Sequence, residues 1–510
     1  MASATHGTSL REAPPSAGTS FFLLLIAAPC LYTLTHIIYN LFFHPLRSYP
    51  GPLLWCMTRL PNDWHTFRGD LFQTIARLHN QYGPIIRVSP NALSYANSQA
   101  YYDILAHKPG QPEWPKDPAK QNIPPNGIPH ILGADKENHA RYRRLLAHAF
   151  SEQGLQEQQG TILQYVDLLI ERLGAKADSG EVINIVEWFT MTVFDVIGDL
   201  AWGASFQSLE NSQVHEWIGA VYANLTFVMM SGPLRAWGLG GVMPRIMPKA
   251  IQEGRVKSYR YMKERLDERL KVQTARGDFW DRVLIKSKDE NAGGEGMMEG
   301  EMLNNAAFLV LAGSETSATT LSGAVYLLCK HPKVMGGLVE EVRGAFDSPS
   351  NVDVRSVSQL KYLDAVLEES MRIYPPVPTP SWRIPPKGGA MACGSFVPEG
   401  VSVNVSVVAA CREPSYWHRH NDFLPERWLD DAPAEFANDN RAAFQPFSVG
   451  TRNCIGRNLA YAEMRLVLAK LVWSFDLQLE DKKTGDWFDQ KGWGLWDKKP
   501  LYVRLLRAHH

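Results

Sequence analysis

A cysteine loop near the C-terminus carries the residues most able to do chemistry in this chain. It reads Phe447-Ser-Val-Gly450-Thr-Arg452-Asn-Cys454-Ile-Gly456. The two glycines allow the backbone to take φ > 0 or to lie close to a flat ligand. Arg452 supplies a cation and a predicted helix starts just after Cys454, so both features favour the thiolate over the thiol. A cysteine nucleophile of low pKa also fits this pattern, but no paired catalytic histidine is identifiable from the sequence.

A second cluster lies inside a predicted helix, at Ala312-Gly313-Ser-Glu315-Thr316. A glycine inside a helix costs about 1 kcal/mol relative to alanine, and a glutamate in an apolar stretch is costly unless it has a partner. Local rules that are broken together often mark a functional site, although a packing glycine beside a surface acid is the simpler interpretation. The Thr316 hydroxyl can donate to the Ala312 carbonyl, four residues back, or to a water.

Charged residues form two further patterns. Glu369 and Arg372 share one face of a predicted helix, and Arg427 follows in a Pro-Glu-Arg-Trp stretch. Most such pairs are solvated and contribute under about 1 kcal/mol. The run from His139 to Arg143 is basic, and taken alone it predicts a solvated helix face.

A mainly helical domain with a minor sheet must position these side chains. Helical periodicity predicts helices over residues 301–330, 358–373 and 457–475. The first of them is apolar over most of its surface and is therefore predicted to be buried. Alternating hydrophobicity over residues 396–408 predicts a strand. We find no internal repeat and no domain linker, and the glycine-rich stretch 287–300 predicts a surface loop.

Composition excludes several classes of protein. The 510 residues include 52 Lys and Arg against 53 Asp and Glu, so the chain lacks the basic excess of a nucleic-acid-binding protein. Six cysteines are far below the density of a disulfide scaffold. No pair has CxxC spacing, which argues against a zinc ribbon or a thioredoxin-type site, and the absence of CxxCH excludes c-type haem attachment.

The N-terminal region predicts membrane attachment. Residues 1–20 are rich in Ser, Ala, Thr and Pro and are predicted to be disordered. Residues 21–43 lack formal charge, and as a helix they would span about 34 Å, enough for a bilayer core of roughly 30 Å. The run ends without a small-residue cleavage site, so a transmembrane anchor is favoured over a cleaved signal peptide. Residues 44–52 predict a proline-rich hinge, and residues 53–510 form one predicted domain on the cytoplasmic side.

The spacing Phe-x-x-Gly-x-Arg-x-Cys-x-Gly, followed by Leu459-Ala460, resembles the haem-binding loop of the cytochrome P-450 monooxygenases. The resemblance covers nearly the whole chain and implies the cytochrome P-450 fold. It implies that Cys454 is the axial thiolate ligand of a haem b iron, a ligand that favours O–O cleavage. Phe447 and the two loop glycines would then lie beside the cofactor. The sequence is similar to fungal secondary-metabolism members such as the isotrichodermin hydroxylases.

The same resemblance implies roles for the other clusters. Glu369, Arg372 and Arg427 would form a buried structural network behind the cysteine loop, in which a broken pair costs roughly 3–5 kcal/mol. Glu315 and Thr316 would help to relay protons to dioxygen, and the two small residues before them would leave room over the iron.

Three arginines are implied partners of the haem propionates, because a guanidinium group suits a carboxylate through paired donors. They are Arg143, Arg383 and Arg452. His139 stands where the family has tryptophan, and its expected place is beside Arg143.

The resemblance also implies co-substrates and partners. No flavin or nicotinamide motif occurs in the chain, so electrons from NADPH would reach it through a membrane-bound NADPH–cytochrome P-450 reductase, with cytochrome b5 as a further donor. Arg141, Arg144 and Arg457 are candidates for the basic face that meets this acidic partner, and a plain solvated face is the alternative. The implied location is the endoplasmic reticulum membrane, with the catalytic domain in the cytoplasm.

The implied reaction is the O2-dependent hydroxylation or epoxidation of an apolar small molecule in fungal secondary metabolism, a terpenoid or a polyketide such as a mycotoxin precursor. Two alternatives stay open: a haem-thiolate isomerase or dehydratase that needs no reductase, and a non-catalytic membrane haem protein. The candidate substrate contacts are apolar or aromatic residues in regions that, by the resemblance, shape the pocket of the family: Trp114, Phe227, Met230, Leu309, Val377, Trp382 and Trp496.

Overall fold

The computed structural model describes residues 17–509 except 122, 123, 125, 273–275, 289–294 and 380. Of the predicted disordered N-terminus, residues 1–16 lie outside the described residues, and residues 17–20 belong to the first helix. The centre of the predicted loop over 287–300 also lies outside them. The described chain is mainly helical with small sheets, as the sequence predicts.

The helices run in chain order through the described residues. The first eleven are α1 (Ala17–Ile38), α2 (Leu53–Met57), α3 (Leu60–Arg68), α4 (Leu71–Tyr82), α5 (Ser98–Ala100), α6 (Lys136–Leu146), α7 (Glu152–Asp178), α8 (Ile185–Trp202), α9 (Ser208–Asn211), α10 (Glu216–Met230) and α11 (Gly232–Ala236). The others are α12 (Met243–Ile246), α13 (Lys249–Lys271), α14 (Asp281–Lys288), α15 (Glu299–Lys330), α16 (Pro332–Ala345), α17 (Val354–Val357), α18 (Lys361–Ile373), α19 (Val407–Ala410), α20 (Arg457–Ser474) and α21 (Asp481–Thr484).

Short strands form four small sheets in the described part of the chain. They are β1 (Ile85–Ser89), β2 (Ala92–Tyr95), β3 (Val182–Asn184), β4 (Ala390–Ala392), β5 (Ser395–Val397), β6 (Ser402–Val405), β7 (Phe475–Leu479), β8 (Lys491–Trp493), β9 (Leu495–Asp497) and β10 (Tyr502–Arg507). One sheet has the order β1-β2-β6, with β2 and β6 parallel, and a second has the antiparallel order β3-β10-β7. The pairs β4–β5 and β8–β9 are separate hairpins.

The core is built around α15, which is 32 residues long and buried over most of its length. It packs along α8 on one side and against α18 and α20 on the others. The predicted helix over 301–330 is therefore present, and it ends where Pro332 opens α16, because proline cannot continue a hydrogen-bonded turn. The predicted helices over 358–373 and 457–475 correspond to α18 and α20. This arrangement brings α15, α18 and α20 into mutual contact.

The single strand predicted over residues 396–408 is wrong in its extent. β5 ends at Val397, Gly400 takes a left-handed φ of 80°, and β6 starts only at Ser402. Ser406 then caps the short helix α19. The alternation of valines continues across a turn, so the side-chain pattern persists although the backbone pairing does not.

The predicted transmembrane anchor over residues 21–43 is not confirmed. α1 ends at Ile38, and residues 39–43 form a π-helical turn that packs on the body of the protein. There the Asn40 amide donates to the Met57 carbonyl at 2.9 Å, and Arg87 donates to the Asn40 carbonyl at 2.8 Å. Across the described part of the chain, no helix has both the length and the hydropathy that a membrane span requires.

The predicted hinge over residues 44–52 is fixed to the first sheet. The Pro50 carbonyl accepts a hydrogen bond from the Arg87 amide at 2.8 Å. A Cβ on Gly51 would lie 2.5 Å from the Arg87 carbonyl oxygen, so only glycine permits this approach.

Candidate active site

The cysteine loop is a tight turn that leads into α20. The Cys454 amide donates to the Phe447 carbonyl at 2.8 Å, and the Asn453 amide donates to the Gly450 carbonyl at 3.1 Å. Gly450 has a φ of 81°, and a Cβ there would lie 2.1 Å from the Leu105 carbonyl oxygen, so a side chain is excluded. Gly456 differs: its φ is −85°, and a Cβ there would lie 3.8 Å from its nearest neighbouring atom. The expected special backbone therefore applies to Gly450 alone.

The Cys454 thiol is accessible, but its electrostatic setting differs from the one predicted. Desolvation by the surrounding protein raises the pKa of the thiol, while the Gly456 amide, Arg143 and Arg457 act in the opposite direction. Arg452, the cation expected to favour the thiolate, points elsewhere, and its guanidinium donates to the Ala134 carbonyl at 2.9 Å. The expected stabilisation of the thiolate by Arg452 is therefore wrong. Full ionisation calls for a stronger positive charge at the sulfur, such as a coordinated metal ion.

Two of the predicted propionate-binding arginines meet near one carboxylate. Glu113 Oε1 lies 2.5 Å from Arg452 Nε and 3.6 Å from Arg383 NH1. Arg383 is 5% exposed, and its Nε is buried without a hydrogen-bond partner in the described structure. Burial lowers the pKa of Arg383 to about 10, so it stays cationic at neutral pH. An unused, buried guanidinium donor is expected to have an anionic ligand.

The third arginine of the set lies on α6 and reaches the cysteine loop. Arg143 NH1 donates to the Asn453 carbonyl at 2.7 Å, and its NH2 donates to the Asn453 side chain. His139 is buried one turn earlier on the same helix. Burial, together with Arg452 and Arg143, lowers the pKa of His139 to about 4. With these neighbours His139 is neutral at neutral pH.

The glutamate–arginine motif forms a fully buried network. Arg372 donates twice to Glu369, through Nε and NH2 at 2.8 Å each, and Arg427 Nε donates to the same carboxylate at 3.0 Å. Arg427 also pairs with Asp439. The Trp428 indole adds a bond to the second Glu369 oxygen at 2.8 Å. The structure thus brings together the three residues for which the family resemblance implied a network, and it satisfies the carboxylate on both oxygens.

The small-residue motif lies on α15 where the helix regains some accessibility. Phe308, Ala312 and Thr316 follow each other at four-residue intervals and are partly accessible on an otherwise buried helix. Thr316 Oγ1 donates to the Ala312 carbonyl at 2.8 Å, the local bond that the sequence allows. Gly313 is explained by packing: a Cβ there would lie 2.9 Å from Cδ1 of Ile197 on α8.

Glu315 is buried and has a partner that the sequence did not reveal. Its carboxylate pairs with the Lys498 ammonium from the segment after β9, and Lys498 also donates to Thr319 at 3.1 Å. Burial raises the pKa of Glu315, whereas Lys498 lowers it. The second carboxylate oxygen, Oε2, has no partner in the described structure. The interpretation of Glu315 as a surface acid is therefore wrong.

A second buried acid stands on the other side of the same stretch. Ser317 donates to Glu463 Oε2 at 3.1 Å, Glu463 Oε1 has no partner in the described structure, and burial raises the pKa of Glu463 to about 8. Sequence reasoning identified neither Lys498, which pairs with Glu315, nor Glu463, which accepts from Ser317. Glu463 was detectable, since it lies on the apolar face of α20 in step with Leu459 and Leu466. No local signal indicated Lys498.

The candidate substrate contacts do not form one group. Phe227 and Met230 line a cavity of about 360 Å³ between α10, α13 and the β8–β9 hairpin, together with Tyr222 and Trp493. Lys498 links this cavity to the α15 motif, since its ammonium lies 5.9 Å from the centre of the Tyr222 ring. The other five candidates lie elsewhere.

Those five are packed in different surroundings. Trp114 and Leu309 are core side chains, and Val377 is exposed. The Lys120 ammonium lies 5.0 Å from the centre of the Trp382 ring. The Trp496 ring stacks on that of Tyr374, with 4.5 Å between the ring centres. Trp496 also donates to the Pro375 carbonyl at 2.8 Å.

The residues of the site fit a haem. Cys454 offers an accessible sulfur ligand, Arg383 offers a buried unused donor for a carboxylate, and α15 presents small residues on its accessible face. Among the described residues, no group of three or more His, Cys, Asp or Glu side chains could hold a metal ion by itself.

Comparison with protein families agrees with this donor set. The family model described as cytochrome P450 matches residues 45–504, which is most of the chain. The chain belongs to the cytochrome P450 family. It is therefore a P450 monooxygenase by family, and family members bind haem iron through a cysteine thiolate.

This P450 is similar to oxidative enzymes of fungal secondary metabolism. It is 48% identical to versicolorin B desaturase of Aspergillus parasiticus, over 94% of this chain and 96% of that protein. It is 47% identical to versicolorin B desaturase of Emericella nidulans, over 95% of this chain and 98% of that protein. It is 46% identical to averantin hydroxylase of Dothistroma septosporum, over 95% of this chain and 91% of that protein. The predicted placement among fungal secondary-metabolism members is confirmed.

The basic face predicted for a reductase is only partly exposed in this P450. Arg141 is 18% exposed and pairs with Glu301 of α15 at 2.5 Å, so it holds α6 against the core. Arg144 is exposed and faces Glu295 at 3.6 Å, and Arg457 lies over the Phe447 ring at 5.7 Å. Arg141 is therefore removed from the candidate docking face.

Proposed function

We propose that this P450 is a haem-thiolate monooxygenase that oxidises an apolar, polycyclic small molecule related to versicolorin B or averantin. Two observations carry the proposal: the Cys454 sulfur is accessible and lies near Arg143, and the buried Arg383 guanidinium keeps an unused donor. The family match and the names of the relatives support the reaction class and the kind of substrate.

The residues of the site are proposed to have different roles. A bound haem supplies the dioxygen chemistry, and thiolate ligation favours O–O cleavage. Cys454 would hold its iron, and Arg143, Arg383 and Arg452 would hold its carboxylates. Thr316 would position a proton at Oγ1, and Glu315 would replenish it through the carboxylate oxygen that lacks a partner.

The substrate is proposed to contact the cavity between α10 and the β8–β9 hairpin. Phe227, Met230, Tyr222 and Trp493 give it a mainly apolar and aromatic wall. Purified protein should give a binding spectrum with versicolorin B or averantin, and Phe227→Ala should weaken it. A spectral response to small charged acids alone would contradict an apolar substrate.

Electrons are proposed to come from NADPH through a separate membrane-bound reductase that docks near Arg144 and Arg457. Turnover of a bound substrate should then require NADPH, O2 and the reductase, with one product formed per NADPH in a well-coupled reaction. Conversion without the reductase would favour an isomerase or dehydratase. The absence of NADPH oxidation across a broad ligand panel would favour a non-catalytic haem protein.

The haem ligand is tested by the reduced carbon monoxide difference spectrum. The parent protein should show the long-wavelength Soret band of a thiolate-ligated haem, and Cys454→Ser should lose it. Cys30→Ser is the matched control, since Cys30 is also exposed and lies outside the site. Equal spectra for the parent and Cys454→Ser would overturn the assignment of the ligand.

We propose that the protein attaches to the endoplasmic reticulum membrane, with the catalytic domain in the cytoplasm, because it exposes an apolar surface. Leu53, Leu60 and Trp64 protrude from α2 and α3. Trp237, which follows α11, joins them because its indole donates to Asp63 at 2.8 Å. Exposed apolar patches of this kind mark protein or membrane contacts.

Vesicle flotation tests this attachment. A protein that lacks residues 1–38 should still float with phospholipid vesicles through the surface of Leu53, Leu60 and Trp64, and Leu60→Glu with Trp64→Glu should reduce flotation. Unchanged flotation of the double variant would contradict a role for this surface.

A further inference from the structure

Glu113 is the one carboxylate that touches the arginines of the proposed haem site in the described part of the chain. Its Oε1 lies 2.5 Å from Arg452 Nε and 3.6 Å from Arg383 NH1. The Glu113 side chain is 24% exposed, whereas those of Arg452 and Arg383 are 8% and 6% exposed. Its carboxylate therefore reaches from a partly solvated loop into a buried pair of cations. Neither the proton relay nor the glutamate–arginine network accounts for this acid.

The backbone of the same loop fixes Glu113 in that place. Arg383 NH1 donates to the Trp114 carbonyl at 3.1 Å, and Lys116 forms an isolated β-bridge with Arg383. Arg383 is thus clamped by residues on both sides of Trp114. Its Nε is still left without a partner among the described residues, so the clamp does not use the full capacity of the guanidinium.

The charges around Glu113 are strongly unbalanced. Lys116, Arg383 and Arg452 face it, and Arg143 lies close enough for both Arg143 and Glu113 to act on the buried His139. Desolvation, together with two of these arginines, lowers the pKa of Lys116 to about 7. Lys116 is therefore only partly charged at neutral pH, and the excess of positive charge resides on the arginines. Several guanidinium groups around a single carboxylate suit the arrival of further anionic groups.

We propose that Glu113 is an internal counter-anion of the haem site, a positioning residue that shares Arg383 and Arg452 with the haem propionates. This inference rests on the proposed haem-thiolate function. The carboxylate holds the two guanidinium groups in place, and its negative charge would lie beside the arginines that would hold the propionates. It therefore favours ferric over ferrous iron, because the ferric state carries one more positive charge, and it weakens the hold on a dianionic cofactor.

The test compares the haem-loaded parent with Glu113→Gln, which keeps the size of the side chain and an acceptor oxygen but removes the charge. Both proteins are first checked for the carbon monoxide band, and then the reduction potential and the rate of haem transfer to excess apomyoglobin are measured. We expect the ratio of ferrous to ferric iron at a fixed potential to rise about threefold. This corresponds to an increase of about 28 mV in the reduction potential, at 59 mV per tenfold change. We also expect haem transfer to slow by about threefold.

Two further variants keep the comparison specific. Glu480→Gln removes a glutamate paired with Arg504 at 3.1 Å, outside the haem site, and should leave both measurements unchanged. Glu113→Asp keeps the charge and should keep the parent potential. If Glu113→Gln does not accumulate in folded form, Glu113→Ala replaces it in the test, because it removes the same charge.

The outcomes separate the two levels of the proposal. Equal potentials and equal haem transfer in the parent and Glu113→Gln would overturn the inference while leaving the haem-thiolate function intact. Faster haem transfer at an unchanged potential would also overturn it and make Glu113 a plain structural clamp. A parent protein without the carbon monoxide band would remove the proposed function and this inference together.

Discussion

Thr316 and Thr320 make the same local bond one turn apart on α15, but in different surroundings. Thr316 Oγ1 donates to the Ala312 carbonyl at 2.8 Å, and Thr320 Oγ1 donates to the Thr316 carbonyl at 3.0 Å. Only Thr316 is accessible, since Thr320 is 2% exposed. Both hydroxyls bond within the helix, so accessibility is what distinguishes Thr316 for its proposed role in proton handling.

We predict that Thr316→Ala lowers the yield of product per NADPH by about tenfold or more, because losing a positioned proton donor costs about 10²–10⁴-fold. Product, peroxide and NADPH consumption measure this ratio. Thr320→Ala is the matched control and should leave the ratio near the parent value. Equal ratios in the two variants would exclude Thr316 from proton handling.

Glu463 predicts a dependence of stability on pH. Burial raises its pKa from the ordinary value of 4.5 to about 8 in the folded protein. Between these two values the folded state binds more protons than the unfolded state, so the contribution of Glu463 to stability declines as pH rises from 4.5 to about 8. Glu463→Gln stays neutral and avoids this decline.

The variant should therefore resist urea better than the parent at pH 8, by about 4 kcal/mol, and match it near pH 4.5. Urea unfolding midpoints at the two pH values measure the difference. Glu340→Gln, an exposed change on α16, should follow the parent at both. A constant difference across the range would show that Glu463 is not protonated in the folded protein.

At the scale of elements, the cysteine loop depends on one backbone conformation. Gly450 has a left-handed φ of 81° and approaches the Leu105 carbonyl, whereas Gly456 has ordinary φ and a Cβ there would make only ordinary van der Waals contacts. We predict that Gly450→Ala loses most soluble, haem-loaded protein because its Cβ collides with backbone. Gly456→Ala should fold like the parent.

Soluble yield and haem absorbance per protein measure the outcome for the two glycine variants. Similar yields for both would show that the approach to Leu105 relaxes at little cost. The same comparison separates a fold requirement from a purely chemical one, since neither change alters the Cys454 side chain.

At the scale of the whole molecule, Glu369 joins parts of the chain that are distant in sequence. Through Arg372 it fixes the carbonyls of Cys411 and Asp422, each at 2.9 Å, and through Arg427 it fixes the His418 carbonyl at 3.0 Å. The network therefore anchors the long irregular segment that precedes the cysteine loop.

We predict that Glu369→Gln destabilises the fold by about 3–5 kcal/mol, because it leaves buried guanidinium groups without a full counter-charge. Soluble yield and urea unfolding midpoints measure the loss. Glu480→Gln, which breaks a partly solvated pair with Arg504, should change stability little. A loss no larger than that of the control would show that the network does not hold this segment.

The sequence by itself determined the features that depend on short separations. The presence of α15, α18 and α20, the bond from Thr316 to Ala312 and the contact between Glu369 and Arg372 follow from helical geometry, which fixes residues three or four apart. The conformation of Gly450 is also local, because only glycine takes it without strain. The spacing of the cysteine loop was enough to indicate the family.

Only the tertiary structure decided which distant residues meet. Lys498 pairs with Glu315 across 183 positions, and Glu113 meets Arg452 across 339. The predicted strand over 396–408 is divided by a turn at Gly400, although its local hydrophobic pattern is continuous. Periodicity reports which face of an element is apolar, whereas the packing of α15 against its neighbours chooses the partner of each buried charge.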